Sequence, residues 1–136
     1  MMLNSKKLEN ETRNYIHNYF WSPESFIDTL KNDFIWDINK YWRLEIFLLE
    51  IVKKIEKETM VDKVVMAEVY YLAKSVETAF SSTLNPYDGW SVENIDLDEL
   101  REYYDRFTHV MRIFWGRIPL RNDDNILNEN PLFKGV

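Results

Sequence analysis

The sequence predicts an all-α fold: a single helical bundle of about five helices that ends in an irregular C-terminal tail. Apolar residues recur at intervals of three and four along most of the 136 residues, the spacing that places side chains on one face of a helix. Glycine and proline, which interrupt helices, number only three and four, and the 46% hydrophobic content suffices for one core. Because no linker divides the chain, we expect residues 1–136 to form a single helical domain.

Two helices are predicted in the first third of the chain. The first covers residues 6–20, where one apolar stripe collects Leu8, Tyr15, Ile16, Tyr19 and Phe20. The second is short and covers residues 23–33. Ser22 is its expected N-cap, and Pro23 lies in its first turn, where the missing N–H of proline costs no hydrogen bond. We expect Phe34 to continue the apolar face of this second helix.

The third predicted helix, over residues 38–56, is expected to lie at the centre of the bundle. Asp37 can cap its N-terminus. Its apolar residues occupy more than one stripe, which is typical of a helix that is contacted on several sides. We therefore expect the side chains of Leu48 and Val52 to be buried.

A fourth helix is predicted to start at a capping box in residues 59–62 and to run to about Ser81. Its valines would also suit a strand. The length of the segment and its unbroken spacing of threes and fours favour a helix. Residues 82–95, which contain Asn-Pro and Asp-Gly turn signals, are predicted to form the only long loop.

The last long helix is predicted over residues 97–115. Asp96 begins a further capping box in front of it, and Gly116 is expected at its C-terminal end. Residues 118–136 carry no periodic pattern of comparable length. We expect them to form the irregular tail.

The sequence excludes several kinds of chemical site. It contains no cysteine, so disulfides, thiolate zinc sites and thiol catalysis are excluded, and its three glycines are too scattered for a phosphate-binding loop. His17 and His109 are the only histidines, and neither lies in the Glu-x-x-His spacing of di-iron bundles or the His-Glu-x-x-His spacing of zinc proteases. Pairs of acids such as Glu45 and Glu50 are expected on a solvated helix face. We therefore expect no metal, no cofactor and no enzymatic activity.

Acidic residues are concentrated in one segment of the chain. Between Asp88 and Asp105 there are seven acids and one base, Arg101, a net charge of −6 that equals the charge of the whole protein. Helix capping accounts for some of these acids, and a merely solvated face is the alternative explanation for the rest. Trp90, in the loop, has no helix face of its own to pack against.

This segment is predicted to bind a basic protein partner, because charge steers association and exposed aromatic residues anchor it. The predicted partner-binding residues are Tyr87, Asp88, Trp90, Glu93, Asp98, Glu99, Glu102 and Asp105. The overall charge of −6 disfavours direct binding to nucleic acid or to an anionic membrane. The chain also lacks a secretory signal and an apolar run long enough to cross a bilayer, so we expect a cytoplasmic protein.

Two aromatic-rich runs, residues 18–26 and 35–45, resemble a helical family of small bacterial immunity proteins. These proteins are encoded beside polymorphic or contact-dependent growth-inhibition toxins. The resemblance covers roughly the first 60 residues and includes no catalytic motif. It implies a non-enzymatic inhibitor that binds and neutralises the C-terminal domain of a cognate toxin, often a nuclease, and it assigns no binding residue.

Two other functions stay open on sequence grounds. A helical adaptor or regulatory protein-binding module would share the size, the acidity and the lack of catalytic motifs. A ribonuclease of the HEPN class carries an arginine followed after four or more residues by a histidine. Here Arg13 and His17 are one residue too close, and Arg101 is too far from His109.

Overall fold

The computed structural model describes residues 25–55, 60–120 and 125–132, together with Ile16, Phe20, Ser22 and Pro23. Within these residues the chain forms five helices and no strand: α1 (Phe26–Asp33), α2 (Ile38–Ile55), α3 (Lys63–Leu84), α4 (Leu97–Phe114) and α5 (Asn125–Glu129). The predicted all-α fold class is therefore confirmed. The helix predicted over residues 6–20 lies outside the described residues except for Ile16 and Phe20, which are both buried.

Helices α2 and α4 form the centre of the bundle. α2 packs chiefly against α4 and also against α1, while α3 packs against α1 and α4. Leu48 and Val52 of α2 belong to the buried apolar cluster, as predicted. The stripe formed by Val65, Val69, Leu72 and Val76 supplies the buried face of α3.

The N-terminus of α1 differs from the prediction. Ser25, rather than Ser22, caps the helix, because its Oγ accepts a hydrogen bond from the Asp28 backbone N–H at 3.1 Å. The same hydroxyl donates to the Phe20 carbonyl oxygen at 2.9 Å. Ser25 therefore satisfies two backbone groups at once, which the spacing of residues in the sequence does not reveal.

The C-terminus of α1 also differs. Phe34 does not continue the apolar face of the helix but ends it, in a left-handed conformation with φ of 60°. This conformation is costly for a residue with a Cβ atom and usually falls to glycine or asparagine. The reason for a phenylalanine at this position lies in its contacts, described below.

The N-termini of α2 and α4 follow the predicted caps. Asp37 accepts from the Lys40 N–H, and Asp96 accepts from the Glu99 N–H. α3 differs from the prediction at both ends: its N-cap is Asp62, the last residue of the predicted capping box rather than the first, and it extends to Leu84, three residues beyond the predicted end. Beyond α4, Gly116 adopts φ of 79°, the left-handed position that terminates many helices.

The C-terminal tail contains a short helix where the sequence predicted irregular structure. α5 buries Ile126 and Leu127 in the apolar cluster of the bundle. Two adjacent apolar residues are too short a signal for helical periodicity, so the helix depends on its tertiary contacts. Asn130, immediately after α5, is also buried.

Candidate functional site

Three of the predicted partner-binding residues line one cleft beside α4, here called the acidic cleft. Its volume is about 630 Å³. It is lined by Trp42 of α2, by Glu99, Glu102, Tyr103, Asp105, Arg106 and His109 of α4, and by Ile126 and Glu129 of α5. Four carboxylates and one guanidinium therefore surround it. Most of the α4 residues recur at intervals of three and four, which places them on one face of that helix.

The one guanidinium of the acidic cleft, that of Arg106, is neutralised by the buried carboxylate of Glu45. Arg106 donates from Nε and Nη2 to the two carboxylate oxygens of Glu45, at 2.8 and 2.7 Å. The Glu45 side chain is 1% exposed and that of Arg106 is 13% exposed. Such a two-point contact between a guanidinium and a carboxylate is the strongest form of ion pair, and its buried position protects it from solvent.

Arg106 also fastens α5 to the bundle. Its Nη1 donates to Glu129 at 2.6 Å, and its Nη2 donates to the carbonyl oxygen of Ile126. On the other side, the guanidinium lies 4.9 Å from the centre of the Trp42 ring. Burial lowers the pKa of Arg106, but the hydrogen bonds and charge of Glu45 outweigh this effect and raise it overall. Arg106 therefore stays protonated and acts as a fixed structural cation.

Asn130 completes this support. Its side-chain amide donates to the Trp42 carbonyl oxygen at 3.0 Å and approaches a Glu45 oxygen at 3.4 Å. Asn130 is 2% exposed. The turn after α5 is thus hydrogen-bonded to the same residues of α2 that hold Arg106, so three separate segments of the chain meet below the acidic cleft.

The prediction that Glu45 lies on a solvated face is wrong, whereas Glu50 is exposed as expected. Glu45 is buried because it follows Tyr41 by four residues and precedes Leu48 by three, on the buried stripe of α2. A carboxylate in that position requires a positive partner. Arg106 lies just outside the acidic segment, which is why counting charges in the segment missed it.

Aromatic side chains lie next to this network. Tyr41, Trp42 and Tyr103 contact one another with ring centres 5.4 to 5.7 Å apart, and Trp36 lies 5.4 Å from Tyr41. The Tyr41 hydroxyl and the Trp36 indole N–H are buried and have no hydrogen-bond partner among the described residues. Burial, followed by the nearby charge of Glu45, raises the pKa of Tyr41 well above 10. Burial and the charge of Glu99 also raise the pKa of Tyr103.

The remaining predicted residues do not line the acidic cleft. Asp98 is exposed in the first turn of α4, and Asp88 and Glu93 are exposed in the preceding loop. Tyr87 is 93% exposed. The structure thus collects Glu99, Glu102 and Asp105 at one site and leaves these four residues outside it.

Trp90 lies in a second cleft, here called the basic cleft. The basic cleft has a volume of about 360 Å³ and is lined by Lys31, Tyr71, Lys74, Ser75, Thr78, Ala79, Ser82 and Trp90. Trp90 is half-buried, because its ring packs edge-on against Phe34 with centres 5.3 Å apart. Trp90 has no helix face of its own to pack against, as expected. It packs instead against Phe34, the residue that ends α1. The two clefts share no lining residue.

The histidines do not indicate a metal site among the described residues. His109 lines the acidic cleft, and His17 lies outside the described residues. Within the described ranges, no group of three or more histidine, aspartate and glutamate side chains is arranged to hold a metal ion. Over the same part of the chain, none of the helices has the length and apolarity that crossing a membrane requires.

Comparison of the chain with protein-family models, with curated proteins and with solved structures gave no match. The geometry of the two clefts is therefore the basis for assigning a function.

Proposed function

We propose that this protein is an immunity protein, a non-catalytic inhibitor that binds a basic toxin domain of the nuclease type through the acidic cleft. The observation that carries the proposal is the charge of the cleft. Glu99, Glu102 and Asp105 face a solvent-accessible concavity whose guanidinium is already paired with Glu45. The negative charge of the three carboxylates is thus available to a partner.

Nuclease domains hold phosphates in clefts that carry clustered lysine and arginine. Carboxylates can occupy the positions of phosphate oxygens and form charge-assisted hydrogen bonds with the same side chains. Trp42 and Tyr103 add aromatic surface to the acidic cleft. Aromatic residues in a desolvated pocket are the residue types that contribute most to protein–protein affinity.

The rigidity of the acidic cleft supports the same function. Trp42, Tyr103 and Arg106 are held by mutual ring contacts and by hydrogen bonds to buried groups. A preformed site loses less conformational entropy on binding than a flexible one. The resemblance of residues 18–26 and 35–45 to helical immunity proteins points to the same class.

The test compares two double charge reversals that change the net charge equally. Glu102→Lys with Asp105→Lys alters the acidic cleft, and Asp88→Lys with Glu93→Lys alters exposed loop residues outside it. Binding to the toxin domain encoded by the neighbouring gene is measured by surface plasmon resonance at two salt concentrations. We expect the cleft reversal to slow association about tenfold or more and to flatten its salt dependence, because charges at an interface act mainly on the association rate.

The loop reversal should change association by a smaller factor. Equal effects of the two variants would show that a diffuse field, rather than the acidic cleft, attracts the partner. An unchanged association rate in both variants would mean that the acidic segment is only a solvated face and that the partner binds elsewhere.

A further inference from the structure

The basic cleft differs in chemistry from the rest of this acidic protein. Lys31 and Lys74 contribute two positive charges to its lining, and no lining residue is a carboxylate. Both lysines belong to a chain with a net charge of −6. A cleft of opposite sign on such a chain favours an anionic ligand, because the local potential at a concave surface follows the charges that line it.

The floor of the basic cleft is one stripe of α3. Tyr71, Ser75, Thr78 and Ser82 are spaced at four, three and four residues, with Ala79 beside them. The small side chains leave room for a ligand to approach the helix. The Ser75 hydroxyl already donates its one hydrogen to the Tyr71 carbonyl oxygen at 2.9 Å, whereas the hydroxyls of Thr78 and Ser82 can donate hydrogen bonds to an anionic ligand.

Trp90 forms an aromatic wall that is held in place from several directions. The Val92 N–H donates to the Thr83 hydroxyl at 3.0 Å, and the Glu93 N–H donates to the Phe34 carbonyl oxygen at 2.9 Å. Asn94 accepts from the Trp36 N–H and donates to its carbonyl oxygen, at 2.8 and 2.9 Å. The loop that carries Trp90 is therefore pinned to α3 and to the segment after α1.

Phe34 is the second support of this wall. Its ring packs against Trp90 although its backbone occupies the left-handed region, where glycine would be more stable. Strain of this kind persists where the surrounding contacts outweigh its cost. At Phe34 those contacts include the Trp90 ring and the hydrogen bond from the Glu93 N–H, and both fix the indole at the edge of the basic cleft.

From these observations, the geometry points to the basic cleft as a binding site for a small ligand that joins a planar aromatic ring to an anionic group, the chemistry of a nucleoside monophosphate. The ring would stack on Trp90, and the phosphate would contact Lys31, Lys74 and the hydroxyls of α3. The volume of about 360 Å³ lies in the range of small-molecule sites. Lys74 is ion-paired with Glu77 at 3.2 Å, and Lys31 also interacts within the protein. Both lysines are exposed, and exposed pairs contribute little to stability, so a phosphate can compete with these partners.

The test is titration calorimetry of the whole protein with adenosine monophosphate. We expect saturable binding with a Kd of about 1 mM or tighter, and binding of adenosine or inorganic phosphate alone to be at least about tenfold weaker. Lys31→Gln with Lys74→Gln should weaken binding about tenfold, because it removes two charge-assisted contacts. The matched control is Lys54→Gln with Lys63→Gln, at two exposed lysines outside the basic cleft.

Trp90→Ala tests the aromatic wall and should also weaken binding, and Trp90→Phe should restore part of it. Circular dichroism confirms that each variant is folded. Absence of saturable binding to the parent protein at about 10 mM nucleotide would overturn the proposal. So would equal affinity for adenosine alone, or equal losses in the lysine pair and its control. The proposal does not depend on the toxin partner, so a negative result leaves the acidic cleft unaffected.

Discussion

The acidic cleft and the basic cleft are built in opposite ways. The acidic cleft has exposed carboxylates above a buried ion pair that joins α2, α4 and α5. The basic cleft has exposed lysines above a stripe of small residues on one helix, and its rigid part is an aromatic pair at its edge. The buried ion pair below the first cleft is tied to the stability of the bundle, whereas the lysines of the second cleft are exposed.

This difference indicates which residues can be substituted without a change in folding stability. A substitution below the acidic cleft changes folding as well as binding, because the residues that shape the cleft are also core residues. A substitution of an exposed lysine in the basic cleft should change the free energy of unfolding by less than about 0.5 kcal/mol and act mainly on binding. The two clefts can therefore be separated by measuring unfolding and binding on the same variants.

The largest expected effect is on the ion pair below the acidic cleft. The Arg106 side chain is only 13% exposed, and Glu45→Ala removes its main partner. Removal of one member of a buried ion pair lowers the free energy of unfolding by about 3–5 kcal/mol. Urea unfolding measures this loss. Glu50→Ala, at an exposed position on the same helix, is the matched control and should change the unfolding free energy by less than about 0.5 kcal/mol.

A second variant distinguishes the charge of Glu45 from its role in packing. Glu45→Leu combined with Arg106→Met replaces both charges by apolar side chains, and such replacements are often neutral or stabilising. We expect the double variant to regain most of the stability lost in Glu45→Ala. If Glu45→Ala is as stable as Glu50→Ala, the ion pair does not support the cleft and the contrast between the two clefts fails.

Most of the fold could be predicted from the sequence, because long amphipathic helices carry their own signal. Leu48 lies where the periodicity of its helix places it, and Asp96 caps the last long helix as its position predicts. The start of α1 could not be predicted. Ser22 and Ser25 both suit an N-cap, and the choice depends on the Phe20 carbonyl, a tertiary contact of the Ser25 hydroxyl.

The candidate site could be predicted only in part. Charge density identified Glu102 and Asp105 because acids close in sequence on one helix are also close in space. It could not show that Trp90 lies in another cleft, since the path of the loop depends on hydrogen bonds to Trp36 and Thr83. One signal was available and was missed. Glu45 falls on the buried stripe of its own helix and therefore required a positive partner elsewhere in the chain.

A smaller effect is expected at Tyr41, next to the ion pair. No hydrogen bond of standard geometry from the described residues reaches its buried hydroxyl, but the Glu45 carboxylate lies close enough to raise the pKa of Tyr41 as a hydrogen-bond acceptor does. At pH 7, Tyr41→Phe should therefore change the free energy of unfolding by no more than about 1 kcal/mol. Burial and the charge of Glu45 raise the pKa of Tyr41, so above pH 10 the unfolded chain loses this proton while the folded protein retains it.

The sign of the pH effect follows from this difference in bound protons. The raised pKa of Tyr41 contributes stability that is fully present below pH 10 and is lost as the pH rises toward the folded pKa, at about 1.4 kcal/mol per pH unit. Urea unfolding at pH 7 and pH 11 should show that Tyr41→Phe loses less stability at high pH than the parent. Tyr87→Phe, at a position 93% exposed, is the control and should follow the parent at both pH values. Equal pH dependence in all three proteins would refute the assignment.

The smallest effect is expected at the histidines. His109 lines the acidic cleft, whose proposed role is to bind a partner and not to transfer protons. The double variant His17→Gln with His109→Gln should therefore protect cells against the neighbouring toxin as well as the parent does. Glutamine keeps a polar side chain of similar size, so the bundle should remain folded, which thermal unfolding checks. Loss of protection in a folded double variant that still binds the toxin domain with the affinity of the parent would favour an enzymatic role, and separate single variants would then show whether the acidic cleft or the N-terminal segment carries it.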